Sequence, residues 1–558
     1  MNYVIDRYLA EITHSAKDVL GARELVIEPA NSKFGADFAI PCFKLAAELQ
    51  KSPIDIANTL AAELKHDALT KAEAVNGFVN LWLSDAVLAE GLSQVHEQKD
   101  AFGEQQILKG KKLVIETNNP NPFKDLHIGH AYNSIVADTL ANVLEAGGGE
   151  VHRMSYHGDV GLHVGKSMWA ILGYVDGDPK KLDAVKPEER ADFLSKMYVQ
   201  GAGAYDDDPT TREQIEAFAK ESFELKDPLF KQVYETCKTW SFDYLDDVIT
   251  RIGSKPAERR YLESEADKLG RKVVEDHMSD IFEHSDGAIV FPGEKYDLHT
   301  RVFISSRDTT LYEARDLGLI QLKHRDFHPD TSYIVTAEEQ REYFNVVFKA
   351  AELAIPDTKG ETKNISTGTV KLSTGKMSSR TGKIINIEWI FDALREAAVK
   401  RGAEETTLQD ALTGSLRYAM LKVKIGSDIV FDIAESVSIE GNSGPYLQYA
   451  YARGRSILAK LGGDIKPTKI DDLTEDERAL ARKLLDYPSV VADAVNELAP
   501  HNICTYLYEL TQTFNRFYEK NRIIDDPRQN VRANLVQAYS QVLKNGLTIL
   551  GIPAPQRL

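Results

Sequence analysis

Asn119-Pro120-Asn121-Pro122-Phe123-Lys124-Asp125-Leu126-His127-Ile128-Gly129-His130 is the stretch on which the reading of this 558-residue chain turns. It follows an apolar, β-branched run, Leu113-Val114-Ile115. It precedes a stretch in which Ile135, Val136, Leu140, Val143 and Leu144 fall on one helical face. The pattern predicts strand, tight loop, helix. In such a unit the loop ends at a helix N-terminus, where unpaired backbone N–H groups and the positive end of the macrodipole favour a phosphate. His127 and His130, three apart, share one side of that first turn. Imidazoles there donate hydrogen bonds to charge growing on a phosphoryl group. Gly129 between them has no Cβ, so a flat ring or a sugar approaches the backbone closely. A solvated helix start with two surface histidines is the plain competitor, and the strand before and helix after favour the nucleotide site.

The length suggests about three to four domains. Hydrophobic residues at 43% and charged residues at 27% describe an ordinary soluble globular chain. The formal net charge of −18 argues against indiscriminate binding to nucleic acid, DNA included. It leaves room for a selective RNA partner held by a local basic strip, because that partner feels the field only within a Debye length. Cys42, Cys237 and Cys504 are too scattered for a metal cluster and are expected as reduced, buried thiols. The first twenty residues contain no apolar signal core, and no apolar run approaches a membrane span, so a soluble cytoplasmic protein is expected.

In chain order, residues 1–95 read as a small α+β module. Helical patterns at Tyr3 to Leu20 and Ser52 to Leu64 flank Lys33-Phe34-Gly35-Ala36-Asp37, and the alternating stretch Gly77 to Leu83 is a strand. Phe78 and Asn80 lie beside the Asn76-Gly77 turn signal, which places them at an edge. Residues 110–425 alternate β-branched runs with helical patterns, as a mostly parallel sheet with helices on both faces does. Strands are expected at Leu113 to Thr117, Val151 to Tyr156, Ala288 to Phe291, Val302 to Ser305 and Tyr333 to Thr336. A helical, charged insertion is expected at about 169–286, with the acidic Asp206-Asp207-Asp208-Pro209 as a solvated loop. Residues 428–558 are helical throughout. Leu507, Leu510, Phe514 and Phe517, spaced three, four and three, form a core stripe of a helix bundle.

A second motif lies downstream: Ser373-Thr374-Gly375-Lys376-Met377-Ser378-Ser379-Arg380-Thr381-Gly382-Lys383. A Gly- and Ser-rich loop with three cations suits a flap over polyphosphate. Together with His-Ile-Gly-His at the head of a nucleotide-type sheet, it resembles the two signatures of class I aminoacyl-tRNA synthetases. Closer similarity is to the arginyl-tRNA synthetase family, over nearly the whole chain. Asp428-Ile429-Val430-Phe431-Asp432 and Glu440-Gly441-Asn442-Ser443-Gly444-Pro445-Tyr446 resemble the entry into that family's anticodon-binding domain. Leu311-Tyr312-Glu313-Ala314-Arg315-Asp316 and His157-Gly158-Asp159-Val160-Gly161 are similar to its catalytic motifs, and Lys33 to Asp37 to its N-terminal domain. The ending Gly551 to Leu558 is also similar, with leucine where methionine is common. One departure is informative. The usual second signature has a further lysine where Ser379 stands, and family members lacking it often carry a lysine just before the histidine motif, where this chain has Lys124.

The resemblance implies a Rossmann-like catalytic domain, an N-terminal domain on the tRNA elbow and an all-α anticodon-binding bundle. It implies L-arginine, ATP with Mg²⁺, and tRNA(Arg) as partners, a monomer, and no structural zinc. His127, His130, Lys124, Lys376 and Arg380 are expected to act on the phosphates, with Gly129, Pro120, Met377 and Ser378 around ATP. Glu116, Asn121, Tyr312, Asp316 and Gln340 are expected around arginine, whose always-charged guanidinium calls for carboxylates and flat acceptors. Phe78 and Asn80 in the first domain, and Tyr446, Tyr449, Arg453, Tyr518 and Arg522 in the bundle, are the candidate RNA contacts. A thiol-selecting relative would need a zinc site that three scattered cysteines do not build.

Overall fold

Asn76 and Gly77 close a two-residue hairpin with positive φ at both positions, 50° and 83°, the conformation that matches strand twist. The structure, a computed structural model, describes residues 3–22, 24–30, 35–124, 126–373, 385–463, 465 and 469–557. The hairpin joins two of four antiparallel strands: β1 (Glu28–Pro29), β2 (Phe38–Pro41), β3 (Leu69–Val75) and β4 (Phe78–Leu83), in the order β1-β2-β4-β3. Helices Val4–Leu20 and Pro53–Glu63 accompany the sheet. Val79, Leu81 and Leu83 are fully buried on its core face. Phe78 stands on the other face beside Phe43, edge to face at 5.2 Å. Asn80 is not at an open edge, as expected from the turn signal, because β4 is paired on both sides and the residue is 3% exposed.

The middle domain carries β5 (Lys112–Glu116), β6 (Glu150–His157), β7 (Arg259–Leu262), β8 (Glu283–Ser285), β9 (Ala288–Phe291), β10 (Arg301–Ile304), β11 (Thr331–Ala337), β12 (Thr362–Thr367) and β13 (Val370–Leu372), followed by β14 (Ile429–Phe431). The main sheet runs β12-β11-β5-β6-β7, parallel throughout. Chain order proceeds one way from β5 to β7 and resumes on the other side with β11. The strand order therefore reverses beside β5, where ligands bind in such sheets. Helix Ile128–Ala146 leaves that point and is buried along most of its length, between the sheet and the C-terminal helices.

Two expectations need correction. Ala288–Phe291 and Arg301–Ile304 are strands but belong to a separate antiparallel sheet, β10-β9-β8, because the short hairpin spacing pairs them with each other. The helical stretch expected to run to 286 is interrupted: helices Leu162–Val175, Arg190–Asp207, Pro209–Glu224 and Pro228–Arg251 come first, then β7 returns to the main sheet beside β6, and helix Glu263–Asp276 follows it. The Arg-Arg-Tyr-Leu of β7 is too short and charged to read as a strand, and it sits at the sheet's edge, where charge is tolerated. The acidic triplet ends in a cap, since Asp208 accepts the N–H of Thr211 at 2.8 Å and opens the following helix.

C-terminal helices Gly444–Lys460, Glu475–Leu484, Tyr487–Glu497, Pro500–Lys520 and Gln529–Ile549 pack as a bundle. Leu507, Leu510, Phe514 and Phe517 are at most 1% exposed, and Phe514 stacks on Tyr539 at 3.8 Å. Arg417, fully buried, ties the bundle to helix Ile128–Ala146 by donating to the carbonyls of Leu550 and Ile252, to Thr139 and to the carboxylate of Asp138. The N-terminal domain docks on the bundle through Asp37, which pairs with Arg478 and Arg482.

Candidate active site

The loop after β5 is built to present its ends. Phe123 holds φ at 62°, a conformation unusual for a bulky residue. Its ring is 1% exposed and stacks on Tyr234, its N–H donates to Ser241 and its carbonyl accepts from Ser167. These contacts hold the strained turn and set the half-buried Lys124 beside the histidines.

His127 is the N-cap of helix Ile128–Ala146. Its Nδ1 accepts the backbone N–H groups of Gly129 at 3.1 Å and His130 at 3.3 Å, and His130 Nδ1 faces the His127 N–H in return. The rings stack 3.6 Å apart. Burial and the neighbouring Lys124 lower the pKa of His127, and burial, His127 and Lys124 push His130 down to about 3. Both rings are therefore neutral near pH 7. With each Nδ1 accepting, the proton of each neutral ring resides on Nε2, so each presents one N–H donor away from the helix. Burial also lowers the pKa of the Lys124 ammonium, against the opposing pull of Glu263.

A cavity of about 280 Å³ opens at the ends of β5 and β6. Glu116, Pro120, Asn121, His130, Tyr156, Gly158, Glu263, Asp316 and Gln340 are among its walls. A second cleft, lined by His127, Gly129, His130 and Gln340 on one side and by Thr367 to Leu372 on the other, adjoins it. His130, Asn133 and Gln340 line both. The cleft's β13 wall continues at Ser373, which is bonded to Phe431 and Asp432, while Ile385 accepts from Ile128 and Ile387 donates to Leu126. Lys376, Met377, Ser378 and Arg380 lie outside the described residues, between those two anchors.

The acids divide in an unexpected way. Glu116, 4% exposed, accepts from Lys323 at 2.6 Å and from Asn119 at 2.6 Å, so its charge is paired inside the protein. Asp316 and Glu263 wall the same cavity. Asp316 accepts from Tyr343 at 2.5 Å, and burial with the charges of Glu116 and Glu263 pushes it up to about 7. Burial pushes Glu263 up to about 7 as well, against the pull of Arg315, which donates to it at 3.0 Å. Glu263 was missed in the sequence because it follows the unread strand β7. Gly158 brings the backbone between Asn121 and Glu263: a Cβ there would lie 2.8 Å from Asn121 Oδ1 and 2.9 Å from Glu263 Oε1.

Among the other expected residues, Asn121, Gln340 and Pro120 line the cavity. Tyr312, 58% exposed at the start of helix Tyr312–Phe327, lines a neighbouring groove with Arg315, and the charges of Glu263, Arg315 and Asp316 act on its hydroxyl. In the bundle, Arg453 lies 4.9 Å from the Tyr449 ring and 5.8 Å from that of Tyr518, both exposed. Tyr446 is half-buried and accepts from Asn515. Arg522 is apart from this group, on the carbonyl of Ile524 and on Asp525.

A parallel sheet whose switch point carries paired neutral histidines, joined to an acid-walled pocket and followed by a helical bundle, is the architecture of a class I synthetase. The sequence profile described as "tRNA synthetases class I (R), catalytic domain" matches residues 91–435, more than half of the chain. Those for the "Arginyl tRNA synthetase N terminal domain" and the "DALR anticodon binding domain" match residues 4–83 and 447–558. The chain belongs to the arginyl-tRNA synthetase family. It is 28% identical to the arginine–tRNA ligase of Clostridium acetobutylicum, covering 96% of each chain, and 28% identical to that of Treponema pallidum, covering 99% of this chain and 98% of the other. Its fold is that of the Thermus thermophilus arginyl-tRNA synthetase, at TM-score 0.80 and 23% identity over 99% of this chain and 100% of that one. The Plasmodium falciparum enzyme follows at TM-score 0.76 and 17% identity, covering 100% and 99%. Among the described residues no helix is long and apolar enough to cross a membrane, and no group of histidine, cysteine and acidic side chains is arranged to hold a metal ion.

Proposed function

We propose that this arginine–tRNA ligase activates L-arginine in the acid-walled cavity, using MgATP held in the adjoining cleft, and then charges the terminal adenosine of tRNA(Arg). The observation that carries the reading is the pair of carboxyls, Asp316 and Glu263, in the wall of a pocket that shares His130 and Gln340 with the adjoining cleft. A guanidinium entering between them neutralises both and satisfies their remaining oxygens. Asn121 turns its Oδ1 to the Gly158 N–H at 2.9 Å, which leaves its amide N–H groups as donors for the substrate's carboxylate. Glu116 acts one step back: through Asn119, which accepts the Tyr156 N–H at 2.9 Å, it fixes the pocket wall.

In the first step the arginine carboxylate attacks the α-phosphate in line and pyrophosphate leaves. Catalysis is positioning plus charge stabilisation. His127 and His130 donate Nε2–H to the phosphate oxygens as charge shifts, Gly129 lets the nucleotide approach the helix start, and Lys124 faces the departing pyrophosphate from the strained turn. Lys376 and Arg380 supply further cations, with Met377 and Ser378 beside the nucleotide, and Lys124 stands in for the lysine that Ser379 replaces. The adenosine 2′-hydroxyl then attacks the carbonyl carbon of the adenylate, forming the ester as the bond to phosphate breaks and AMP leaves. Magnesium arrives with ATP as part of the substrate.

For tRNA, Phe78 on the N-terminal domain and the Tyr449-Arg453-Tyr518 group on the bundle offer aromatic faces and a cation for unstacked bases, with Tyr446 behind the second. Action in the cytoplasm, supported by three buried free thiols, and as a monomer, the state the family resemblance implies, completes the reading. The test is ATP–pyrophosphate exchange with arginine, with and without tRNA(Arg), and with cysteine, glutamate and lysine as controls. Exchange with arginine alone among the amino acids supports the reading. Its absence under every condition overturns it.

A further inference from the structure

Tyr156 is one cavity wall that the roles above leave unused. It stands at the end of β6 and lines the pocket, yet its hydroxyl is buried with no hydrogen-bond partner among the described residues. Such a group is uncommon and costs the free protein stability. Its backbone is fixed to the wall through Asn119 and Glu116, so the ring is not loosely placed. The charges that act on the hydroxyl most strongly are Asp316 and Glu263, then Arg315 and Glu116.

The accounting of acceptors shows what is missing. Asp316 has Oδ2 engaged by Tyr343, and Glu263 has Oε2 engaged by Arg315. Among the described residues, each leaves one carboxylate oxygen uncommitted. A guanidinium presents five N–H donors in a plane, more than two oxygens satisfy. A protonated phenol adds an acceptor there without adding a third negative charge beside two carboxyls. An ammonium side chain also neutralises the two acids, but as a compact point charge it does not fill a fork of three acceptors.

We propose that Tyr156 is a specificity-determining contact of the arginine pocket, its hydroxyl oxygen accepting an N–H of the substrate guanidinium. The proposal rests on the arginine reading above. The contact separates planar, multi-donor head groups from amines, because the wrong substrate leaves the buried hydroxyl unpaired.

The test is Tyr156→Phe in the full chain, followed by pyrophosphate exchange and by thermal unfolding of the free protein. The KM for arginine should rise about tenfold, the low end for a hydrogen bond to a charged group. The preference for arginine over lysine should fall by a similar factor, with kcat and the KM for ATP within about twofold. The free protein should melt no lower than wild type, since no bond is lost in the empty pocket. An unchanged arginine KM and preference overturn the proposal, as does a lowered melting temperature accompanied by shifts in every KM. Wild-type chain without arginine exchange overturns the parent reading and this one together, whereas wild-type exchange with an indifferent Tyr156→Phe overturns this one alone.

Discussion

Arginine should bind with release of protons, and its affinity should fall steeply as the solution is acidified. In the empty pocket burial holds both Asp316 and Glu263 at about 7, far above the ordinary carboxylate range, and the two titrate as an interacting pair. A guanidinium between them favours both ionised forms and brings the pair back down. At pH 8 the free pair is mostly ionised and few protons leave on binding; at pH 7 about one leaves, and at pH 6 nearly two. Affinity is therefore full above about pH 8 and drops about thirtyfold between pH 7 and pH 6, taking two sites of equal pKa. Folding stability moves in the opposite sense. A carboxyl raised in the folded state favours the protonated native form, so the free protein loses stability as pH rises from about 4 to 7. Saturating arginine should then raise the melting temperature more at pH 8 than at pH 6. Calorimetric titration at pH 6 and pH 8, in buffers of differing ionisation enthalpy, counts the protons directly. A count near zero at pH 6, or equal affinities at the two pH values, would refute the reasoning.

Lys124→Ala should slow single-turnover adenylate formation about a hundredfold while changing arginine affinity little, because the ammonium faces the phosphates rather than the guanidinium; near-normal activation would remove its assigned role. Lys323→Met should destabilise the fold by about 3–5 kcal/mol in urea unfolding, since it strands the buried Glu116 carboxylate. Adding Glu116→Gln should recover much of the loss, and a purely additive double variant would contradict the pairing. Phe78→Ala should raise the KM for tRNA about tenfold, as loss of one stacked base does, with arginine and ATP constants unmoved. Asn80→Ala, at a buried position, should instead show in the melting temperature; a tRNA-specific defect there would reverse the assignment.

Residue type and near-neighbour spacing determined much of this protein. Asn76-Gly77 dictates a hairpin because only that turn matches the strands' twist, and the three-four-three spacing of Leu507 to Phe517 dictates a buried helical stripe. The step from β5 to His127 is legible because its strand, cap and helix are local events. The two signatures are local in sequence, and the family resemblance rests on them. The tertiary structure decided which charges meet. Glu116 ends an apolar strand and needs a partner, but that partner, Lys323, lies 207 residues away, and only the β11-β5 pairing with its covering helix brings it near. Glu263 entered the pocket because a four-residue charged edge strand, invisible to periodicity, delivers it. Asn80 shares a face with Phe78 by alternation, yet alternation does not say which part of that face is covered. Tyr312 and Asp316 share a helical face, and where the pocket ends along it separates one from the other. Local geometry is set by energies within a few residues, whereas the assignment of buried charge is set by which distant elements exclude water together.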